Sequence, residues 1–289
     1  MSAMEQKAKT LMVLGTASGV GKSTLVTGLC RLMRRRGLRA APFKAQNISD
    51  NAHLLPDGRR MARSQAIAAS ACGLAPEPDM NPVLLIPRRG GCETVVDGAA
   101  VPRFDRDACR EAARRAYGRL AERFDVVVAE GAGSPVELNL REGDIVNMDF
   151  ALYARCPVLL AADIRRGGAF AALYGTLALL AKEERALVKG LIVNDFYGDA
   201  ASFGEGRRML EEICGVPVLG VVPHLELRLE DEDALPGAAA LTREALAALV
   251  PAGMSAEAFQ AAQFDLLADA LEKALDMDAV MNILEGGAK

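Results

Sequence analysis

The stretch Leu11–Thr24, LMVLGTASGVGKST, constrains this chain more than any other. Leu11–Leu14 is a short apolar run, long enough for one buried strand. A glycine-rich turn from Gly15 to Gly21 follows at once. Lys22-Ser23-Thr24 comes next, and then Leu25, Leu29, Leu32 and Met33 at helical spacing. Strand, glycine loop, Lys-Ser and helix is the order of a phosphate-binding loop. Gly19 and Gly21 let backbone N–H groups face a phosphate with no Cβ in the way. A helix beginning at Lys22 adds the positive end of its dipole. The Lys22 ammonium can reach the β- and γ-phosphates, and the Ser23 hydroxyl can ligate Mg²⁺. Five residues separate Gly15 from Gly21, one more than in the commonest pattern.

Composition narrows the partners. Aromatic residues are 4% of the chain and Trp is absent, so there is no stacking platform for single-stranded nucleic acid. The net charge of −4 argues against a nucleic-acid or membrane-surface binder. Six cysteines lie far apart with no CxxC, which suits reduced thiols in a cytoplasm. Met1–Thr10 lacks the apolar core of a signal peptide, and no apolar stretch reaches membrane-spanning length.

Strand-like and helix-like stretches alternate. Leu38–Phe43 reads as a strand with Lys44 just beyond its end; position alone leaves Lys44 open between a substrate contact and a solvated loop lysine. Ile48–Arg60 reads as a loop, Met61–Cys72 as a helix and Val83–Ile86 as a strand. Arg88–Gly98 is glycine-rich and expected to be mobile. Asp105–Arg123 is an amphipathic helix. Val126–Ala129 is a buried strand with Glu130 at its exit, the place of an acid that orders Mg²⁺ or its waters beside a P-loop. Asp144–Tyr153, Phe170–Leu180 and Phe203–Cys214 read as helices; Pro157–Ala162, Val188–Val193 and Pro217–Val222 read as strands.

This alternation predicts an α/β fold with a doubly wound, mostly parallel sheet. Lys44, Glu130, Asp163, Asn194 and His224 all fall at strand ends, where such a sheet holds its ligand. Arg34-Arg35-Arg36 reads as cations at a helix C-terminus before Gly37. The expected organisation is a P-loop domain over residues 1–236 and a helical extension over 237–289. The extension would serve as a cap, a packed tail or a partner surface, with packing the simplest of these.

The nucleotide is expected to be ATP. The extra signature lysine of partitioning-type P-loop ATPases is absent at Ala17, and Asn194-Asp195 lacks the lysine of a guanine-reading NKxD. Asn194 would then read the adenine amino edge. The expected ATP site comprises Ala17, Ser18, Gly19, Val20, Gly21, Lys22, Ser23, Thr24, Asn194 and Pro223.

The stretches LGTASGVGKSTLVTGLCRLMRRRGLRAAPFKAQNIS, DMNPVLL, VVVAEGAGSPVELNLREGDIVNMDFA, ADIRRGGAF and GLIVNDFYGD together resemble the N-terminal ATP-dependent synthetase domain of the cobyric acid synthase family. That domain is a relative of dethiobiotin synthetase. The likeness runs from about Leu11 to Leu235, and FKAQN, DMNP and EGAGSP are its specific parts. The resemblance implies amidation of corrinoid side-chain carboxylates through an acyl phosphate. It assigns Lys22 and Lys44 to the γ-phosphoryl group and the substrate carboxylate. It assigns Ser23 and Glu130 to Mg²⁺, with Gln65 as a weaker ligand. Gln46, Asn47, Asn81, Gly131, Ala132, Gly133 and Ser134 would face the corrin. A homodimer is implied by the pairing of relatives through this core.

Three departures from the family pattern carry expectations. The sequence has only His53 and His224, and no cysteine in a Gly-x-Cys-x-Gly elbow, so no glutaminase triad is expected. Ammonia would come free or from a separate glutaminase subunit. Arg165 stands where the family usually has Asp, and Ile86 where it usually has Lys; beside a carboxylate-rich substrate both would alter substrate identity. Two other readings remain: a dethiobiotin-synthetase-like ligase on another small carboxylate or carbamate, and a regulatory P-loop ATPase that switches a partner. The long polar segments between strands favour the corrinoid synthetase.

Overall fold

The computed structural model describes residues 8–230 and 243–286. The first apolar run forms β1 (Lys9–Gly15), and the glycine turn delivers it into α1 (Lys22–Arg35). Then come β2 (Ala40–Phe43), three short strands β3 (Gln46–Ile48), β4 (Ala52–Leu54) and β5 (Arg60–Ala62), and α2 (Arg63–Cys72). β6 (Val83–Arg88), β7 (Gly91–Val96) and β8 (Ala99–Val101) lead to α3 (Arg106–Arg123). The alternation continues through β9 (Val126–Glu130), α4 (Met148–Ala154), β10 (Val158–Asp163) and α5 (Ala169–Leu179). The single turn α6 (Lys182–Arg185), β11 (Val188–Phe196), α7 (Gly204–Cys214) and β12 (Val218–Pro223) complete it. Three helices follow: α8 (Arg243–Ala247), α9 (Ala256–Ala274) and α10 (Met277–Leu284).

Six strands form one parallel sheet in the order β12-β11-β10-β1-β9-β2. Their near-continuous apolar runs are explained by burial on both faces. Leu11 and Val13 of β1 face α1, α9 and α10, while Met12 and Leu14 face the layer of α3, α4, α5 and α7. This is the doubly wound architecture expected from the alternation. The register places Val13 opposite Glu130 and Phe43 opposite Ala129, so the ends of β1, β9 and β2 finish together.

The sequence reading missed a second layer of structure. β3, β6, β7 and β8 make a separate four-stranded sheet, and β4 pairs with β5. The expected loop over 48–60 therefore contains a hairpin. The segment expected to be mobile, 88–98, is the antiparallel β6–β7 hairpin, turning at Arg89-Gly90 with Gly90 at φ 86°. The apolar run Val83–Ile86 marks only the start of β6; the exposed end of β6 and the start of β7, from Pro87 to Cys92, carry no such run. The helix expected from Asp144 begins at Met148; Asp144 to Asn147 form the turn before it.

Helices α9 and α10 share the core of the P-loop domain. Leu267 and Leu271 of α9 are fully buried against α1, each contributing about 1.5–3 kcal/mol by removal from water. A Cβ at Gly28 of α1 would lie 2.3 Å from Leu271 Cδ1, so the helices meet where α1 has no side chain. Arg31 pairs with Asp265 at 2.8 Å, Arg35 with Asp269 at 2.6 Å and Arg36 with Glu272 at 3.2 Å. The basic end of α1 thus serves α9 as well as its own dipole. The division expected at 236/237 lies outside the described residues, as does Leu235.

Candidate active site

Four side chains from separate elements meet at the ends of β1, β9 and β2. Glu130, the last residue of β9, is 1% exposed. Its Oε1 accepts hydrogen bonds from Ser23 Oγ and from Lys44 Nζ, both at 2.7 Å. Its Oε2 accepts from Gln65 Nε2 at 2.7 Å. Lys44 is 4% exposed, so its charge and that of Glu130 compensate each other away from water. Lys44 is therefore a buried ion-pair member and not a solvated loop lysine. Lys22 is buried too; its Nζ donates to Ala17 O at 2.8 Å and Gly133 O at 3.0 Å.

Gln65 is fully buried, and its Oε1 has no hydrogen-bond partner. A buried acceptor of this kind is satisfied by a water or an ion. With Ser23 Oγ and the Glu130 carboxylate it offers a set of hard oxygen donors, which fits Mg²⁺.

The P-loop separates two cavities. One, of about 340 Å³, is lined by Ser18, Lys22, Lys44, Gln46, Asn47, Ala132, Gly133 and Ser134 among others. The other, of about 350 Å³, is lined by Gly19, Val20, Gly21, Thr24, Asn194 and Pro223 among others. Gly21 sits at φ 89°, and a Cβ there would lie 2.2 Å from Asn194 Nδ2, so glycine is required twice over. Asn194 Nδ2 donates to Val20 O at 2.9 Å, joining β11 to the loop. A larger, shallow groove of about 790 Å³ runs along α9 beside Pro223. It includes neither Lys22 nor Lys44, so size alone does not mark the site.

Two residues expected to face the substrate do not. Asn81 is 1% exposed, and its amide is spent on backbone: Oδ1 accepts from Ala62 N, and Nδ2 donates to Lys44 O and Val83 O. It holds the main chain of Lys44, which Met80 O also engages at 2.9 Å. Gly131 lies behind the cavity wall; a Cβ there would stand 2.3 Å from Leu14 Cδ2 and 2.4 Å from Asn147 Oδ1.

The two departures with consequences for substrate also lie away from the Lys44 cavity. Ile86 is 1% exposed in a small apolar cluster with Ala62, Leu84 and Val95. Arg165 pairs with Asp195 at 3.2 Å and Asp163 at 3.6 Å, two residues that line the Asn194 cavity. Asp195 also holds His224 at 2.5 Å, and the imidazole stacks on Tyr197.

Sequence reasoning overlooked Asn147. Its Oδ1 accepts from Ala132 N and its Nδ2 donates to Ala132 O, each at 2.9 Å. It thereby clamps the loop whose next carbonyl, Gly133 O, receives Lys22. Asp144 Oδ1 in turn accepts from Val146 N and Asn147 N. The local signal was an Asp three residues ahead of an Asn at a helix start, a self-capping turn.

Comparisons place these residues in context. Residues 11–233 match the CobQ/CobB/MinD/ParA nucleotide binding domain. A protein of Salmonella typhi named cobyric acid synthase is 51% identical over 233 residues, and one of Citrobacter koseri is 50% identical over 234. Each match covers 78% of this chain and 46% of the relative, so the chain spans about half the length of these curated relatives. Among solved structures, the signal recognition particle receptor FtsY from Elizabethkingia anophelis in complex with GDP matches with a TM-score of 0.44 and 18% identity. That match covers 76% of this chain and 58% of the other.

Proposed function

The chain belongs to the CobQ/CobB/MinD/ParA nucleotide-binding domain family, and from that premise we propose that it is an ATP-dependent synthetase that amidates carboxylates of a corrinoid. The observation that carries this reading is the meeting of Lys44, Glu130, Ser23 and Gln65 beside the P-loop lysine. A switch that only hydrolyses ATP needs a water-positioning group. This site instead has a second buried lysine in a cavity on the far side of the loop from Asn194, suited to holding an acid.

The chemistry follows in two steps. A carboxylate oxygen of the substrate attacks the γ-phosphorus of ATP, the bond to the β-phosphate oxygen breaks, and ADP leaves. Ammonia then attacks the acyl phosphate, phosphate departs, and the nitrogen loses a proton to give the amide. Catalysis of the first step is positioning and charge neutralisation. Lys22 holds the β- and γ-phosphates. Lys44 holds the attacking carboxylate against the γ-phosphoryl group. Ser23, Glu130 and Gln65 would hold Mg²⁺, which supplies charge neutralisation at the phosphates. Ala17 to Thr24 cradle the phosphates, and Asn194 and Pro223 flank the adenine. Gln46, Asn47 and Ala132 to Ser134 face the acid. Ammonia would come free or from a separate glutaminase subunit, and a homodimer remains part of this reading.

Incubation with ATP, ammonium and corrin carboxylates, followed by mass spectrometry, tests it. Conversion of acid to amide with stoichiometric ADP release is expected. ATP turnover that ignores every carboxylate but responds to a protein partner would overturn it in favour of a switch. Amidation or carboxylate activation confined to small acids would favour the ligase on another substrate.

A further inference from the structure

Two large aliphatic side chains at the Lys44 cavity are unusually exposed. Ile48 is 58% and Leu140 64% exposed, and both line the cavity that holds Lys22 and Lys44. Single exposed apolar residues are ordinary on a surface. Here, however, two come from unrelated segments and share one cavity with two buried ammonium groups. Ile48 ends β3, an edge strand of the small sheet, where it is paired to Leu85. Leu140 sits in the loop after β9, and that loop is anchored. Leu140 N donates to Glu137 O at 2.8 Å, Gly143 N to Leu140 O at 2.9 Å, and Arg141 is ion-paired to Glu184. The main chain on both sides of Leu140 is thus fixed.

We propose that Ile48 and Leu140 are specificity residues that seat the apolar body of a macrocyclic polycarboxylate while one peripheral acid reaches Lys44. This rests on the synthetase reading of the site. The argument is one of size and polarity. A cavity of about 340 Å³ is at the small end for ligands of drug size. A small acid fits inside it and has no use for apolar groups at Ile48 and Leu140. A wide ring carrying acids on its edge presents one acid to the cavity and leaves its apolar face outside. Covering that face removes Ile48 and Leu140 from water, which favours the large substrate over a small one bearing the same carboxylate.

The test uses the intact protein with corrin carboxylates prepared by hydrolysis of cyanocobalamin, and with glutarate as the small acid. Binding is read by the corrin absorbance and by calorimetry, and nucleotide affinity is measured alongside. Ile48→Asn and Leu140→Asn are each expected to weaken corrin binding about tenfold, equivalent to ~1.4 kcal/mol. ATP affinity should stay unchanged, and Leu140→Met should bind corrin like the parent protein. Both positions are exposed, so the fold tolerates the changes. Corrin binding by the parent protein that the Asn variants leave intact would overturn this assignment alone. A parent protein that binds glutarate but no corrin would overturn the synthetase reading on corrinoids, and this assignment with it.

Discussion

Lys44 Nζ and Glu130 Oε1 stand 2.7 Å apart, with the lysine 4% and the carboxylate 1% exposed. The same oxygen takes the Ser23 hydroxyl. Removing one partner of a buried pair leaves an uncompensated charge, at a cost of about 3–5 kcal/mol. Ser23 and Gln65 offset part of that cost for Glu130. Lys44→Met is therefore expected to lower stability by about 2–4 kcal/mol, and Lys44→Met with Glu130→Gln by less than the sum of the singles. A double-mutant cycle in urea checks this; strict additivity would show that the pair is not coupled.

Activity should divide differently between the two lysines. Lys22→Ala should abolish turnover and weaken ATP binding, because the proposed reading puts Lys22 in the phosphate cradle. Lys44→Ala should reduce phosphoryl transfer while leaving ATP affinity within about threefold, the arithmetic of losing less than ~0.7 kcal/mol of binding. Calorimetry with ATP and single-turnover rates separate the two. A normal transfer rate in Lys44→Ala would remove that residue from the chemistry.

The proposed Mg²⁺ ligands carry a metal dependence of their own. Glu130→Gln should raise the Mg²⁺ concentration needed for ATP to stabilise the protein against heat, and Gln65→Ala should do so more weakly. Thermal melts across a Mg²⁺ series at fixed ATP report this without any turnover. An unaltered Mg²⁺ profile in Glu130→Gln would take the carboxylate out of the metal site.

Helix packing offers a control pair remote from chemistry. Gly28→Val pushes a side chain into Leu271 and Leu267, and should destabilise by about 1–3 kcal/mol. Gly175 of α5 has nothing within 4 Å of an added Cβ, so Gly175→Ala should stabilise by about 0.5–1 kcal/mol through the unfolded chain. Urea midpoints distinguish them.

Glu93 supplies a pH dependence. Its hydrogen bonds with Arg60 and then Arg88 lower its carboxyl from the ordinary 4.5 to about 2. The folded state therefore binds fewer protons there than the unfolded chain. The contribution to stability is present above pH 4.5 and is lost as pH falls toward 2. Glu93→Gln should flatten the part of the stability profile between those values, measured by urea unfolding at pH 6 and at pH 3; a wild-type slope retained in the variant would discount the residue. The effect is small because the pair is partly open to solvent.

Much of this molecule can be read from its letters, and the reason is burial. Strands β9 and β10 lie inside the main sheet, so each is an unbroken apolar run ending in an acid, and β1, β11 and β12 each carry an apolar run at their centre. That pattern exposed Lys44, Glu130 and Asn194 before any coordinates. β3 was hidden because its pairing is non-local: 34 residues separate its end at Ile48 from the start of β6 at Val83, and a three-residue strand has no period to detect. The local hairpin cues were there to read: Asp57-Gly58 lies between β4 and β5, and Asp97-Gly98, both at positive φ, joins β7 to β8. Asn81 misled for a related reason. It stands in a motif that belongs to the site, yet its amide braces the main chain of Lys44. Type and neighbourhood reveal that a residue matters; only the partner atoms reveal how.

The pairing of Val13 with Glu130 has a last implication. Successive residues of a strand point to opposite sides, so the acid meets Ser23, Lys44 and Gln65 only while β9 keeps its count against β1. One residue inserted between Val126 and Ala129 would turn the carboxylate toward the opposite helical layer. Such an indel, conservative in composition and silent on hydrophobicity, would harm this protein more than most single replacements in the cavity itself.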